Sequence, residues 1–165
     1  VLPSMELYLS FDLLGAARRG QVVGLNHTPY LVVELPHREF PAYTERAPFE
    51  LLMAGYRPIL NHPERNRGVR REPERLYRLL DSGVQAMVTA GSLLGRFGPE
   101  AQGLAEELIR EGAADLIVSD AHDLERRAPC LPEGLAAAAK LGKADQAAEA
   151  ALLGIRVSTP GGGME

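Results

Sequence analysis

Carboxylate and imidazole side chains recur at the ends of short apolar runs at a nearly constant interval. No other feature of the chain restricts its fold as much. Twenty-eight positions separate Glu6 from Glu34, and twenty-eight more separate Glu34 from His62. Glu6 falls inside the apolar run 5–9, Glu34 near the end of 30–35, and His62 at the end of 57–62. Asp120 and His122 follow a later run, 115–119, and Thr89 closes the intervening run 85–89. One strand with its crossover helix occupies about 30 residues in a (β/α) barrel. The polar residues therefore recur in step with successive units, on the C-terminal side of the strands. In such a barrel those ends converge on one mouth, where active sites sit.

The runs themselves support this arrangement. Tyr30-Leu31-Val32-Val33 and Asp115-Leu116-Ile117-Val118 are rich in β-branched residues and apolar on both faces, as buried parallel strands are. Amphipathic stretches lie between them, at 48–54, 73–80 and 99–111. The second has Pro73 at its start and Gly83 past its end, and the third is stopped by Gly112. An Ala-rich stretch, 135–153, is interrupted at Gly142. The alternation predicts an α/β fold with a parallel sheet or barrel. A length of 165 residues suits one domain, expected over 1–155, with 156–165 as a disordered tail. Val1 leads directly into structured-looking sequence, so the expectation is a chain truncated at its N-terminus.

Several function classes are disfavoured. A net charge of −4 gives no general attraction to nucleic acid or anionic membrane. Cys130 is the single cysteine, which excludes a disulfide framework and a Cys-rich zinc site. It is not a phosphatase-type nucleophile either, because Ala136 stands where a Cys-x5-Arg loop needs arginine. There is no Gly-x-Ser-x-Gly elbow and no Walker loop. No apolar run reaches the ~18–20 residues of a membrane helix, and no signal peptide pattern is visible. The expected location is cytoplasmic, with no membrane insertion.

Glu6, Glu34, His62, Asp120 and His122 are the candidate metal ligands. Their mixed oxygen and nitrogen donors suit Mn²⁺, Fe²⁺ or Zn²⁺ better than Mg²⁺ alone. They are more donors than one ion requires, so a multinuclear site is expected. The plain alternatives are a solvated Glu6, a structural ion pair at Glu34, a capping or core His62, and an N-capping Asp120. His27 and His37 lie in loop-like stretches and are expected at the surface. Arg65 and Arg127 trail the ligand runs closely enough to reach the same mouth, and guanidinium forks match phosphate oxygens. Arg67, Arg70 and Arg71 are expected to form a solvated loop and helix start.

Five blocks of sequence carry a family resemblance. They are Val-Leu-Pro-x-x-Glu at 1–6, Val-Glu-Leu-Pro at 33–36, Gly-Tyr-Arg-Pro-Ile-Leu-Asn-His-Pro-Glu-Arg-Asn at 55–66, Thr-Ala-Gly-Ser-Leu-Leu-Gly-Arg-Phe-Gly at 89–98 and Ser-Asp-Ala-His at 119–122. Over residues 1–130 the chain resembles the bacterial PHP-domain, manganese-dependent protein-tyrosine phosphatases of capsule and exopolysaccharide loci (CpsB/YwqE type). The resemblance implies a distorted (β/α)7 TIM-like barrel, here lacking its first two βα units. It implies a site for three Mn²⁺ ions whose ligands map to Glu6, Glu34, His62, Asp120 and His122. It implies phosphate-binding arginines at Arg65 and Arg127, Arg126 being the adjacent rival. The implied substrate is phosphotyrosine on a partner tyrosine autokinase, and His122 is a candidate acid for the leaving phenolate. The family's opening His-x-His strand has no counterpart, and Asp123 stands where asparagine is usual. The alternatives are a small-molecule phosphoesterase of the histidinol-phosphatase kind and an inactive remnant that binds metal or a partner.

Overall fold

In the computed structural model, which describes residues 3–36 and 39–141, the five apolar runs form one sheet. The strands are β1 (Glu6–Tyr8), β2 (Tyr30–Glu34), β3 (Arg57–Asn61), β4 (Gln85–Thr89) and β5 (Leu116–Val118). They lie in chain order, β1-β2-β3-β4-β5, and every pair is parallel. Parallel neighbours need a crossover connection, and helices occupy those connections. The helices are α1 (Leu13–Arg18), α2 (Tyr43–Met53), α3 (Arg67–Arg71), α4 (Pro73–Asp81), α5 (Ala90–Leu93), α6 (Pro99–Glu111) and α7 (Leu131–Ala139).

Register gives the two sheet faces different jobs. Leu7, Val33, Leu60 and Ala86 are aligned across four strands, and the first three belong to the hydrophobic core with Leu31, Val88 and Ile117. Leu51, Leu76, Leu79, Leu104 and Leu108 from the helices complete that core. The other face aligns Tyr8, Glu34, Asn61, Met87 and Leu116. Because side chains alternate along a strand, Glu6 shares this second face with Tyr8. The second face is where polar residues collect.

The helix limits follow their punctuation in part. Gly98 and Gly112 flank α6 at positive φ, 91° and 71°, where glycine avoids the Cβ clash. Proline starts α4 and α6 as expected. At α2 the expectation was a start at Pro48, but the helix begins at Tyr43 and carries Pro48 inside it. Thr44, Ala47, Pro48 and Leu51 are buried there, so packing overrides proline's preference for a first turn. The described part of the last helix runs from Leu131, earlier than the expected 135. The rest of the Ala-rich stretch, the 156–165 tail and His37 lie outside the described residues. Among the described residues no helix is long and apolar enough to cross a membrane.

Candidate metal centre

β1, β2 and β3 bring Glu6, Glu34 and His62 together. One donor atom from each lies within 4.8 Å of the others. His62 Nε2 is 3.7 Å from Glu6 Oε1 and 3.6 Å from Glu34 Oε1. Those separations are long for hydrogen bonds. They suit neighbouring ligand atoms around one ion with bonds of about 2.0–2.2 Å. Burial pushes the His62 imidazolium pKa down to about 4, helped by the positive charge of Arg65 and opposed by Asp120 and Glu6. The ring is therefore neutral at pH 7 and has a lone pair to offer. Two carboxylates and a neutral imidazole fit a divalent transition-metal ion.

The backbone at His62 makes this meeting geometrically coherent. Strand alternation would turn residue 62 to the core side with Leu60. Instead His62 takes φ 37° and ψ 52°, a left-handed conformation, immediately after β3. Its imidazole consequently faces Glu6 and Glu34 on the Asn61 side of the sheet. A non-glycine residue held there costs of order 1 kcal/mol, and the hydrogen bond from His62 N to Met87 O at 2.8 Å helps hold it.

Asp120 and His122 do not join the Glu6–Glu34–His62 group. Asp120 follows β5 with φ 50°, and two guanidinium groups converge on its carboxylate. Arg65 Nη1 donates to Asp120 Oδ2 at 2.7 Å, and Arg127 Nη2 donates to the same oxygen. Arg127 Nη1 also lies 3.0 Å from His122 Nε2, which must therefore accept. That leaves the proton on Nδ1, 3.0 Å from the Asp120 carbonyl oxygen. Asp120 contributes to the field at His62, so the two clusters are neighbours at the same end of the sheet. Arg127, rather than Arg126, is the arginine that reaches Asp120. The Asp123 side chain shapes the loop that presents it, accepting from the amides of Glu125, Arg126 and Arg127 at 2.8, 2.6 and 3.0 Å. Hydrogen bonds from the Arg127 and Glu125 amides hold that exposed carboxyl below its usual range. Only an acceptor oxygen is used, which aspartate and asparagine supply alike. His27 is exposed, just before β2, at the opposite end of the strands.

Asn61, Glu64, Phe97, Gly91 and Asn66, residues to which the sequence assigns no role, complete the site. Asn61 is buried and donates to Glu6 Oε1 at 2.5 Å. Glu64 is fully buried, and its Oε1 accepts from Thr89 N at 3.1 Å, Thr89 Oγ1 at 3.0 Å and Ser92 Oγ at 2.6 Å. Burial raises its carboxyl pKa, against the pull of those hydrogen bonds. Phe97 lies under Arg65, its ring centroid 4.2 Å from the guanidinium carbon. Gly91 admits that ring, since a Cβ there would stand 2.8 Å from it. Asn66 caps α3 by accepting from Val69 N at 3.0 Å, and donates to the Pro36 carbonyl at 2.5 Å. The five residues His62-Pro63-Glu64-Arg65-Asn66 thus supply a ligand donor, a turn start, a buried clamp, a guanidinium and a cap.

The chain is similar to known proteins. A family model described as "Capsular polysaccharide synthesis, CpsB/CapC" matches residues 1–153. The chain is 34% identical over 127 residues to the tyrosine-protein phosphatase YwqE of Bacillus subtilis, covering 77% of this chain and 50% of that protein. It is 34% identical over 122 residues to CapC of Staphylococcus aureus, covering 74% and 48%. A crystal structure from work on YwqE of Bacillus subtilis and CpsB of Streptococcus pneumoniae, titled there as unique metal-dependent tyrosine phosphatases, is similar with a TM-score of 0.83. It is 32% identical, and the match covers 88% of this chain and 59% of that one. The chain spans about half the length of the curated relatives it matches.

Proposed function

Because this chain belongs to the CpsB/CapC family of capsular polysaccharide synthesis, we propose that it is part of a metal-dependent phosphatase that hydrolyses phosphotyrosine on proteins and regulates capsule or exopolysaccharide synthesis. The observation that carries this reading is the convergence of Arg65 and Arg127 on one carboxylate oxygen of Asp120, beside the Glu6, Glu34 and His62 donors. Two guanidiniums aimed at a single oxygen are a clamp for an anion, and the neighbouring donors suit a cation. An anion bound to both is what phosphate ester hydrolysis requires. YwqE and CpsB are named as tyrosine phosphatases, which favours a phosphotyrosine protein as substrate and a tyrosine autokinase as partner.

In this reading Glu6, Glu34, His62, Asp120 and His122 are ligands in a multinuclear site, with Mn²⁺ the proposed ion and three ions the proposed count. Bound divalent ions supply Lewis acidity toward a phosphoryl oxygen and a nucleophile at neutral pH. Arg65 and Arg127 bind the phosphate and offset charge on its equatorial oxygens. Phe97 stacks on Arg65 and limits its rotation. The candidate acid for the leaving phenolate is His122, beside Arg127, or a water on a bound ion. We read the five βα units as belonging to a distorted seven-unit TIM-like barrel of the PHP type, in a single domain over 1–155 with two further units before it. A cytoplasmic location belongs to the same proposal.

The test uses the metal-loaded protein with p-nitrophenyl phosphate and a phosphotyrosine peptide. Hydrolysis is expected to depend on added divalent ion and to stop with chelator. Arg127→Ala should lower kcat/KM by about 10²-fold, as loss of one preorganised charge donor does. Arg127→Lys should recover only part, because a point charge cannot replace a fork. Activity that survived chelation, or an Arg127→Ala variant as active as the parent, would overturn the reading. A strong preference for histidinol phosphate over the peptide would overturn its protein substrate.

A further inference from the structure

The chain concentrates basic side chains immediately after the site. Arg65, Arg67, Arg70, Arg71, Arg75 and Arg78 fall within 14 positions of a chain whose net charge is −4. Most are neutralised. Arg65 pairs with Asp120, Arg70 with Glu100, Arg75 with Glu45 and Glu72, and Arg78 with Glu45. Arg67 and Arg71 have no ion pair among the described residues. They stand four apart on α3, the spacing at which like charges on a helix repel. Both are exposed, and both line a cavity of about 580 Å³ together with Arg70, Pro73, Glu100, Leu104 and Glu107.

This cavity adjoins the phosphate clamp. Arg70 Nη1 donates to the carbonyls of Arg65 and Glu64, at 2.7 and 3.1 Å, and its Nε pairs with Glu100. The wall between clamp and cavity is thus the Arg65–Arg70 turn itself. Two residues of chain separate Arg65 from Arg67, at most about 7 Å of backbone. One helical turn then separates Arg67 from Arg71, a rise of about 6 Å. An extended peptide advances about 3.3 Å per residue. About four residues of an extended peptide match the backbone span from Arg65 to Arg71, which sets the range of substrate positions to compare. The acids of the cavity have other partners: Glu100 holds Arg70, and Glu107 accepts from the Tyr77 hydroxyl at 2.8 Å. Glu107 remains an anion, so of the three arginines and two glutamates lining the cavity one net positive charge is left, offered to a ligand by Arg67 and Arg71.

We propose that this groove is a docking site for acidic residues flanking the phosphotyrosine of the protein substrate, held by Arg67 and Arg71. The proposal rests on the phosphatase reading for the position of the phosphotyrosine, but not for the groove's preference for an acidic segment. It makes the protein sequence-selective through a surface outside the metal centre.

The experiment compares phosphotyrosine peptides of equal length carrying Asp/Glu, Ala or Lys within four positions of the phosphotyrosine, on either side. With the metal-loaded protein, KM for an acidic peptide is expected to be about tenfold below that of the Ala peptide, with kcat little changed. The advantage should shrink as salt is added. In the double variant R67Q/R71Q it should disappear while p-nitrophenyl phosphate hydrolysis stays unchanged. Because that variant relieves a like-charge pair, it should melt no lower than the parent. Equal KM values for acidic and Ala peptides in the parent overturn the proposal, as does a preference that survives in the variant. A second measurement is independent of catalysis: fluorescence anisotropy of an unphosphorylated acidic peptide. Binding by the parent and not by R67Q/R71Q supports the groove even if no phosphopeptide is hydrolysed, and absence of binding by the parent sinks it.

Discussion

If the proposed phosphatase reading holds, replacing His62 with alanine lowers its metal-dependent phosphotyrosine hydrolysis by at least about 10²-fold. Loss of groups that merely orient a metal ligand costs 10–100-fold in affinity or activity, and His62 is proposed as a ligand itself. Its Nε2 is the atom equidistant from the two carboxylates, at 3.7 and 3.6 Å, so its removal leaves Glu6 and Glu34 without the third donor. Elemental analysis of the purified variant should show fewer divalent ions per chain than the parent. His62→Gly separates loss of the ligand from loss of the fold. Residue 62 sits at φ 37°, where glycine is unstrained, so the glycine variant should melt close to the metal-free parent while remaining as inactive as His62→Ala. A His62→Gly variant that kept both its metal content and its activity would remove His62 from the site.

The second large effect is expected at Glu64. Glu64→Ala should destabilise the protein by about 2–4 kcal/mol. The substitution strands the Thr89 amide, leaves the Thr89 and Ser92 hydroxyls only each other at 2.8 Å, and opens a cavity where a fully buried side chain stood. Urea unfolding of the metal-free protein measures it. The sign of the pH effect is also determined. Burial raises the folded-state pKa of Glu64 above its unfolded value. Between the two values the folded chain keeps a proton that the unfolded chain has released. Glu64 therefore adds stability at low pH, and that contribution is lost as pH rises through the folded pKa. Glu64→Gln has nothing to titrate there. Its stability should fall less than the parent's as pH is raised from about 4 upward. A parent and a Gln variant with parallel pH profiles would show that Glu64 is ionised in the fold.

The strands were legible because their signal is local. Val32, Val33, Ile59, Ile117 and Val118 sit in short β-branched runs closed by proline, histidine or aspartate, and all five runs became strands. The pairing of ligand candidates was legible because one crossover has a near-fixed length, so equal spacing in sequence becomes adjacency in the sheet. What remained hidden was set by tertiary contacts. The helices α1, α3 and α5 are 6, 5 and 4 residues long, too short for a helical period to register. Glu64 reads as a surface charge, because nothing in its neighbours announces that Thr89 and Ser92 will close over it from 25 and 28 positions away. The left-handed turn at His62 carries no glycine or asparagine to betray it. Asp120 and His122 were correctly placed at the right end of the sheet. Their partition into a cluster with Arg65 and Arg127 depends on a loop whose course the sequence does not encode in any short motif.

The strict neighbour order of the parallel sheet makes chemical competence a readout of strand alignment. Glu34 lies opposite Asn61 and Tyr8. A slip of β2 by one residue would exchange its faces, sending Glu34 toward the leucines and Val33 toward the cation donors. No such chain could assemble the ligand set, however compact it became. Ion binding therefore discriminates the aligned sheet from its misaligned isomers, and loading the protein with metal during refolding should enrich the one register that works.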